Sequence, residues 1–207
     1  MNLEKFNFIR DNYGLFSSWA VWEKEGKTPK SNVGNLNVLD PNTNDELLSL
    51  INTKYVMVGL NISRGAIKIP FANFHDKRSE ATDFKIRYAF NNTKAYGAYM
   101  TDLIKDYDEK SSASVKDYLK KNKQFLASNL NFFKNEIEVI GNVEILIAFG
   151  ADVYSHLLKT FSNQYRIIKV PHYANYCSKE QYRREVREAL GYSKILDLFR
   201  GPAFNLG

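Results

Sequence analysis

Apolar positions at Phe6, Ile9, Tyr13 and Phe16 recur three and four residues apart, which predicts an amphipathic helix, or two short ones, at the start of the chain. Trp19 and Trp22 extend that apolar face. From Gly26 to Asn44 the text GKTPKSNVGNLNVLDPNTN is rich in Gly, Pro and Asn and reads as loop. The pattern then changes. KYVMVGL is a short β-branched apolar run closed by turn-forming residues, as are VEILIAFG (Val143 to Gly150) and YRIIKVPH (Tyr165 to His172), and each predicts a buried strand. GAYMTDLIK, Gly97 to Lys105, predicts a further strand with Thr101 and Asp102 near its end.

Between the strands the period is helical. Val115, Tyr118, Leu119, Leu126, Leu130, Phe133 and Ile137 keep to one helical face, and ADVYSHLLK reads as a short helix. After Ser178, Gln181 stands at capping-box spacing, and YRREVREAL continues as a basic helix. Strands alternating with helices imply a parallel α/β sheet in a single domain over residues 1–207. Its expected parts are an N-terminal helical region and loop (1–50), an α/β core (52–190) and a C-terminal tail (191–207).

Composition adds two constraints. Apolar residues make up 44% and aromatics 14%, with 14 Phe and 13 Tyr, which excludes a disordered chain and leaves aromatics over for surfaces. Lys and Arg number 29 against 23 Asp and Glu, a net charge of +6 compatible with an anionic partner such as nucleic acid. The same excess also suits a merely solvated basic face. Cys177 is the only cysteine, which excludes an intrachain disulfide and multi-cysteine metal or iron–sulfur sites and suits a reducing cytoplasm. MNLEKFNFIRDNYG has neither the apolar core of a signal peptide nor a membrane-spanning run, so a cytoplasmic protein without membrane association is expected.

In open parallel sheets, ligands bind beyond the carboxyl ends of the strands. The candidates there are Asn61, Ser63 and Arg64 after the first strand, Asp102 at the next, Gly150 and Asp152 after the third, and His172 to Tyr176 after the last. No phosphate loop, GxSxG elbow or paired histidines at metal-ligand spacing competes with them.

These strand ends, in this order, resemble the uracil-DNA glycosylase superfamily over about residues 52 to 190. Gly59, Leu60 and Asn61 match its first motif, most like the mismatch-specific branch that uses Asn. IPFANFH supplies Phe71, or as second choice Phe74, for the phenylalanine that stacks on a flipped base; Thr101 and Asp102 fall at the base-reading position. ILIAFGADVYSHLLK looks like the strand, Gly and helix segment, and VPHYANY like the histidine-containing minor-groove loop, which puts the family histidine on His172. The resemblance implies a three-layer α/β/α fold with a central, mainly parallel sheet of about four strands. It further implies a DNA glycosylase-like hydrolase that acts on a modified or mismatched base as a monomer, without metal or organic cofactor.

In that scheme Asn61 orients a water without acting as a base, and His172 donates to the base oxygen as charge develops. Tyr173 or Tyr176 wedges the duplex, and Arg64, Lys169, Lys179, Arg183 and Arg184 meet phosphates of single-stranded or mismatched DNA. Three departures bear on activity. An ionised Asp102 only accepts hydrogen bonds, where Asn both accepts and donates, so it suits a base edge presenting an amine better than uracil; a carboxyl held protonated by burial, or a helix cap, are the alternative readings of this residue. Ile62 stands where the branch has Pro, and HYANY lacks the prolines and serine of the family loop. A second functional reading stays open beside the enzyme: a nucleic-acid or nucleobase-binding protein that keeps the fold without hydrolysis. A third is an unrelated α/β protein whose strand-end residues coincide.

Overall fold

The computed structural model describes residues 1–63, 65 and 67–192. In chain order they form α1 (Leu3–Tyr13), β1 (Ser17–Trp19), a 3-10 turn (Leu36–Leu39), α2 (Leu47–Leu50) and β2 (Asn52–Asn61). There follow α3 (Phe84–Phe90), β3 (Ala98–Ile104), α4 (Ser112–Lys121), α5 (Lys123–Ile140), β4 (Ile145–Phe149), α6 (Ala151–Phe161), β5 (Arg166–Val170) and α7 (Lys179–Ala189). The sheet order is β1-β3-β2-β4-β5. The four expected strands, β2 to β5, are parallel to one another, and β1 adds an antiparallel edge beside β3.

Successive side chains alternate between the two faces of the sheet and divide the core in two. Val56, Val58, Tyr99 and Leu103 pack beneath α1, α4, α5 and α6 through residues such as Phe6, Leu119, Phe133 and Leu157. Met57, Met100, Ile147 and Val170 face α3 and α7 through Ile86, Phe90, Tyr182 and Val186. All seven residues of β3 are buried, as a parallel strand covered on both faces requires.

Local chemistry explains most boundaries. The Asn2 side chain accepts from the Lys5 N–H to cap α1, and Gly14 ends that helix. The expected helical continuation through Trp19 is therefore a strand: Ser17, Ser18 and Trp19 pair with Thr101, Met100 and Tyr99. Trp19 packs edge-on to Tyr99 at 5.0 Å, a contact worth about 0.5–1.5 kcal/mol beyond the area it buries. The long helical pattern breaks at Asn122 into α4 and α5. At α7, Ser178 Oγ accepts from the Gln181 N–H, but the Gln181 side chain turns to Glu185, so only half of the expected capping box forms.

The α5 face against β3 carries a polar exception. Glu136 is wholly buried, and its Oε1 accepts from Tyr99 Oη and Thr101 Oγ1, each at 2.8 Å. Lys105 Nζ lies 2.7 Å from Glu136 Oε2, an ion pair outside hydrogen-bond angles, and donates to Thr101 Oγ1 at 2.6 Å and to the Asp102 carbonyl. Burial, then the Glu136 charge, pushes the Tyr99 phenol well above its ordinary pKa. Removing one partner leaves the other charge alone in the core. Lys105→Met should cost about 3–5 kcal/mol in urea unfolding, and Lys105→Met with Glu136→Leu should regain much of that loss.

Candidate functional site

After β2 the chain moves to β3 on one side, then crosses to β4 on the other side of β2. The loops leaving β2 and β4 therefore diverge, and a crevice opens at their carboxyl ends. It is a cleft of about 840 Å³ walled by Asn61, Ser63, Gly150, Lys169, His172 and Tyr173. A side recess of about 280 Å³ shares Asn61, Asp102, His172 and Tyr173 with it and reaches Asn73 and Phe74.

Asp102 and Gly59 are paired in register on adjacent strands. A Cβ at Gly59 would lie 2.1 Å from Asp102 Oδ1 and 3.5 Å from Phe74 Cζ. A side chain at this position would therefore have to displace the carboxylate that crosses over it. Asp102 is 4% exposed, and its Oδ2 accepts from Asn73 Nδ2 at 2.8 Å. The direction of that bond is fixed, because Asn73 Oδ1 already accepts from the Phe74 N–H at 3.1 Å and Nδ2 also donates to the Phe16 carbonyl.

Asn61, at the last position of β2, donates its amide hydrogens to the carbonyls of Tyr107 (3.0 Å) and Glu109 (2.8 Å). The amide cannot flip without losing both bonds, so Oδ1 is its remaining polar atom, an acceptor suited to orienting water.

His172 follows β5 at the mouth of the recess. Its Nδ1 accepts from the Ala174 N–H at 3.1 Å, which leaves the proton of the neutral ring on Nε2. Burial lowers its pKa below the ordinary 6.5. The site therefore holds a neutral imidazole with a donor at Nε2. Tyr173 stacks on it at 4.5 Å and meets Phe74 and Phe149 edge-on at 6.2 and 5.3 Å.

The two phenylalanine candidates part company. Phe71 is 2% exposed, lies 5.4 Å from Phe6 and belongs to the core beneath α1, on the opposite side of the sheet from the recess. The base-stacking expectation for Phe71 therefore moves to Phe74, which lines the recess. Phe74 too is only 2% exposed, since Tyr173 and Phe149 pack on it. Both residues adopt φ 62°, a region bulky side chains avoid at a cost of about 1–3 kcal/mol each. Ser18 Oγ donating to the Phe71 carbonyl and the three Asn73 bonds hold the segment there.

The basic candidates are less free than their sequence suggests. Lys179 lies 4.4 Å over the Tyr88 ring and 3.2 Å from Glu25, and Arg183 covers the same ring at 5.0 Å while donating to the Tyr88 carbonyl. They join α7 to α3 and do not line the cleft. Lys169 does line it, as does Lys110, but so do Glu185 and Glu188. Arg184 is exposed on α7, Tyr176 projects fully into solvent, and Arg64 lies outside the described residues.

Comparison with protein-family models, curated proteins and solved structures finds no match. Among the described residues no cluster of three or more His, Cys, Asp or Glu could hold a metal, and no helix is long and apolar enough to cross a membrane. Sequence reasoning missed Asn73 and the loop carbonyls that hold Asn61. A polar Asn73 between two buried phenylalanines is the signal that could have exposed the first.

Two outcomes follow from this geometry. Gly59→Ala should lower stability by about 1–3 kcal/mol, and less in an Asp102→Ala background, as a double-mutant cycle by denaturant unfolding would measure. An NMR titration of His172 should give a midpoint below 6.5. As pH falls through 6.5 the unfolded chain binds that proton first, so stability should drop and then level off below the folded midpoint; His172→Gln should lack this component.

Proposed function

We propose that the cleft receives an extruded nucleotide and that the protein is a DNA glycosylase-like hydrolase, cleaving the N-glycosidic bond of a modified or mismatched base. The observation that carries this reading is the convergence of Asn61, Asp102 and His172, from three separate strand ends, on one recess. Asn61 Oδ1 is the acceptor for a water directed at the sugar carbon, and the oxocarbenium character of the breaking bond makes a weak, well-placed nucleophile sufficient. The Nε2–H of neutral His172 donates to the departing base as negative charge grows on it. Asp102, accepting from Asn73, favours a base edge that donates, such as an exocyclic amine. Tyr176, fully exposed beside the cleft, is the side chain free to fill the gap left in the duplex.

A non-catalytic nucleobase- or nucleic-acid-binding protein is the second reading. It draws support from the covered ring of Phe74 and from the engagement of Lys179 and Arg183 with Tyr88.

The two separate in one assay: alkali-revealed scission of end-labelled oligonucleotides carrying uracil, hypoxanthine, xanthine, ethenocytosine or a G:T mismatch. The enzyme reading expects scission at one or more of these, reduced about 10²–10³-fold in His172→Ala and strongly in Asn61→Ala. Salt-sensitive binding to the same DNA without scission would transfer the assignment to the binding protein.

A further inference from the structure

Asn61 is held by two carbonyls of the segment that follows β3, so whatever fixes that segment fixes Asn61. Its first residue, Lys105, is gripped twice from α5. The buried Asn129 side chain accepts the Lys105 N–H through Oδ1 at 2.8 Å, and Glu136 pairs with the Lys105 ammonium. Asn129 and Glu136 stand two helical turns apart and so share one face of α5. An Asn on the core side of a helix lowers helix propensity and adds a polar group to desolvate, so packing alone does not account for it. Its orientation is set by Nδ2, which donates to the Phe125 carbonyl at 3.1 Å. Oδ1 thus takes the backbone N–H at the point where the β2–β3 pairing, which ends at Asn61 and Ile104, runs out. Further along, Tyr107 stacks on Tyr118 of α4 at 4.2 Å, with Phe125 of α5 at its edge.

We infer that Asn129, which does not line the cleft, is a positioning residue for Asn61: by holding the Lys105 N–H it sets the Tyr107 and Glu109 carbonyls that turn Asn61 Oδ1 toward the cleft. The inference rests on the water-orienting role proposed for Asn61, but its first test needs no turnover. Hydrogen exchange of the Asn61 side-chain amide is followed by NMR in the full chain. Asn129→Leu, close in size and without an acceptor, should speed that exchange about tenfold. Asn129→Asp, which in the neutral form that burial favours keeps both the acceptor for Lys105 and a donor to the Phe125 carbonyl, should restore it toward wild type. Leu157→Ala, a cavity variant in α6, is the control for destabilisation alone and should leave it unchanged.

An unaltered Asn61 amide in folded Asn129→Leu, or an equal change in Leu157→Ala, would overturn the inference. Should Asn129→Leu not fold, Asn129→Ser takes its place with the same expectation, since its shorter hydroxyl cannot span the distance. Where wild type cleaves an oligonucleotide, Asn129→Leu should lower kcat with little change in KM, and Asn129→Asp should recover it. A slow-exchanging Asn61 amide that responds to Asn129 in a protein without scission upholds the positioning and removes only the hydrolytic reading.

Discussion

A carboxylate with no access to water organises the end of this molecule where the cleft lies. Glu136 is wholly buried between α5 and β3, where leaving its charge unpaired would cost about 3–5 kcal/mol. Tyr99, Thr101 and Lys105, from one strand and its exit, supply its partners. Because Lys105 must reach inward, the chain leaves the sheet at a defined residue, and the next carbonyls come to lie over the end of β2. The buried charge and the polar side chain at the rim are thus joined through one short stretch of chain, Lys105 to Glu109.

The rim itself combines groups of opposed character. Asn61 presents an oxygen acceptor beside the buried Asp102 carboxyl, which accepts from Asn73, whereas His172, kept neutral by burial and by the Ala174 N–H, presents a donor. Such a set distinguishes between partners by the direction of their hydrogen bonds more than by total charge. The surroundings agree, since Lys110 and Lys169 share the lining of the cleft with Asp152, Glu185 and Glu188. The +6 net charge of the chain is therefore not focused there, and the two best basic candidates serve the α3–α7 contact through Tyr88.

How much of this was legible in the sequence depends on the range of the interactions involved. Three of the parallel strands announced themselves through β-branched runs with turn residues behind them, whereas GAYMTDLIK, with its polar Thr101 and Asp102, carried a weaker pattern; Asn61, Asp102 and His172 lie at or near the carboxyl ends of their strands. β1 did not, because Trp19 and Trp22 happen to keep helical spacing with the residues of α1. α3 was hidden by Lys85 and Arg87, whose buried heads serve backbone carbonyls of Asn175, Glu23, Ser31 and Pro29, a use that no hydropathy pattern displays. Asn73 and Asn129 act on residues 29 and 24 positions away, and only folding brings those groups together. The choice between Phe71 and Phe74 was likewise tertiary: the segment passes between the two faces of the sheet, and each ring falls to a different one.

The aromatic contact of Tyr173 with Phe74 and Phe149 makes the recess a place already partly taken. A planar guest that stacks on Phe74 competes with a side chain of the protein itself. Its apparent dissociation constant is the intrinsic one divided by the fraction of molecules in which Tyr173 has moved aside. Because Tyr173 stacks on His172, the same displacement would disturb the imidazole, which under the proposed function couples entry of the guest to the setting of the donor.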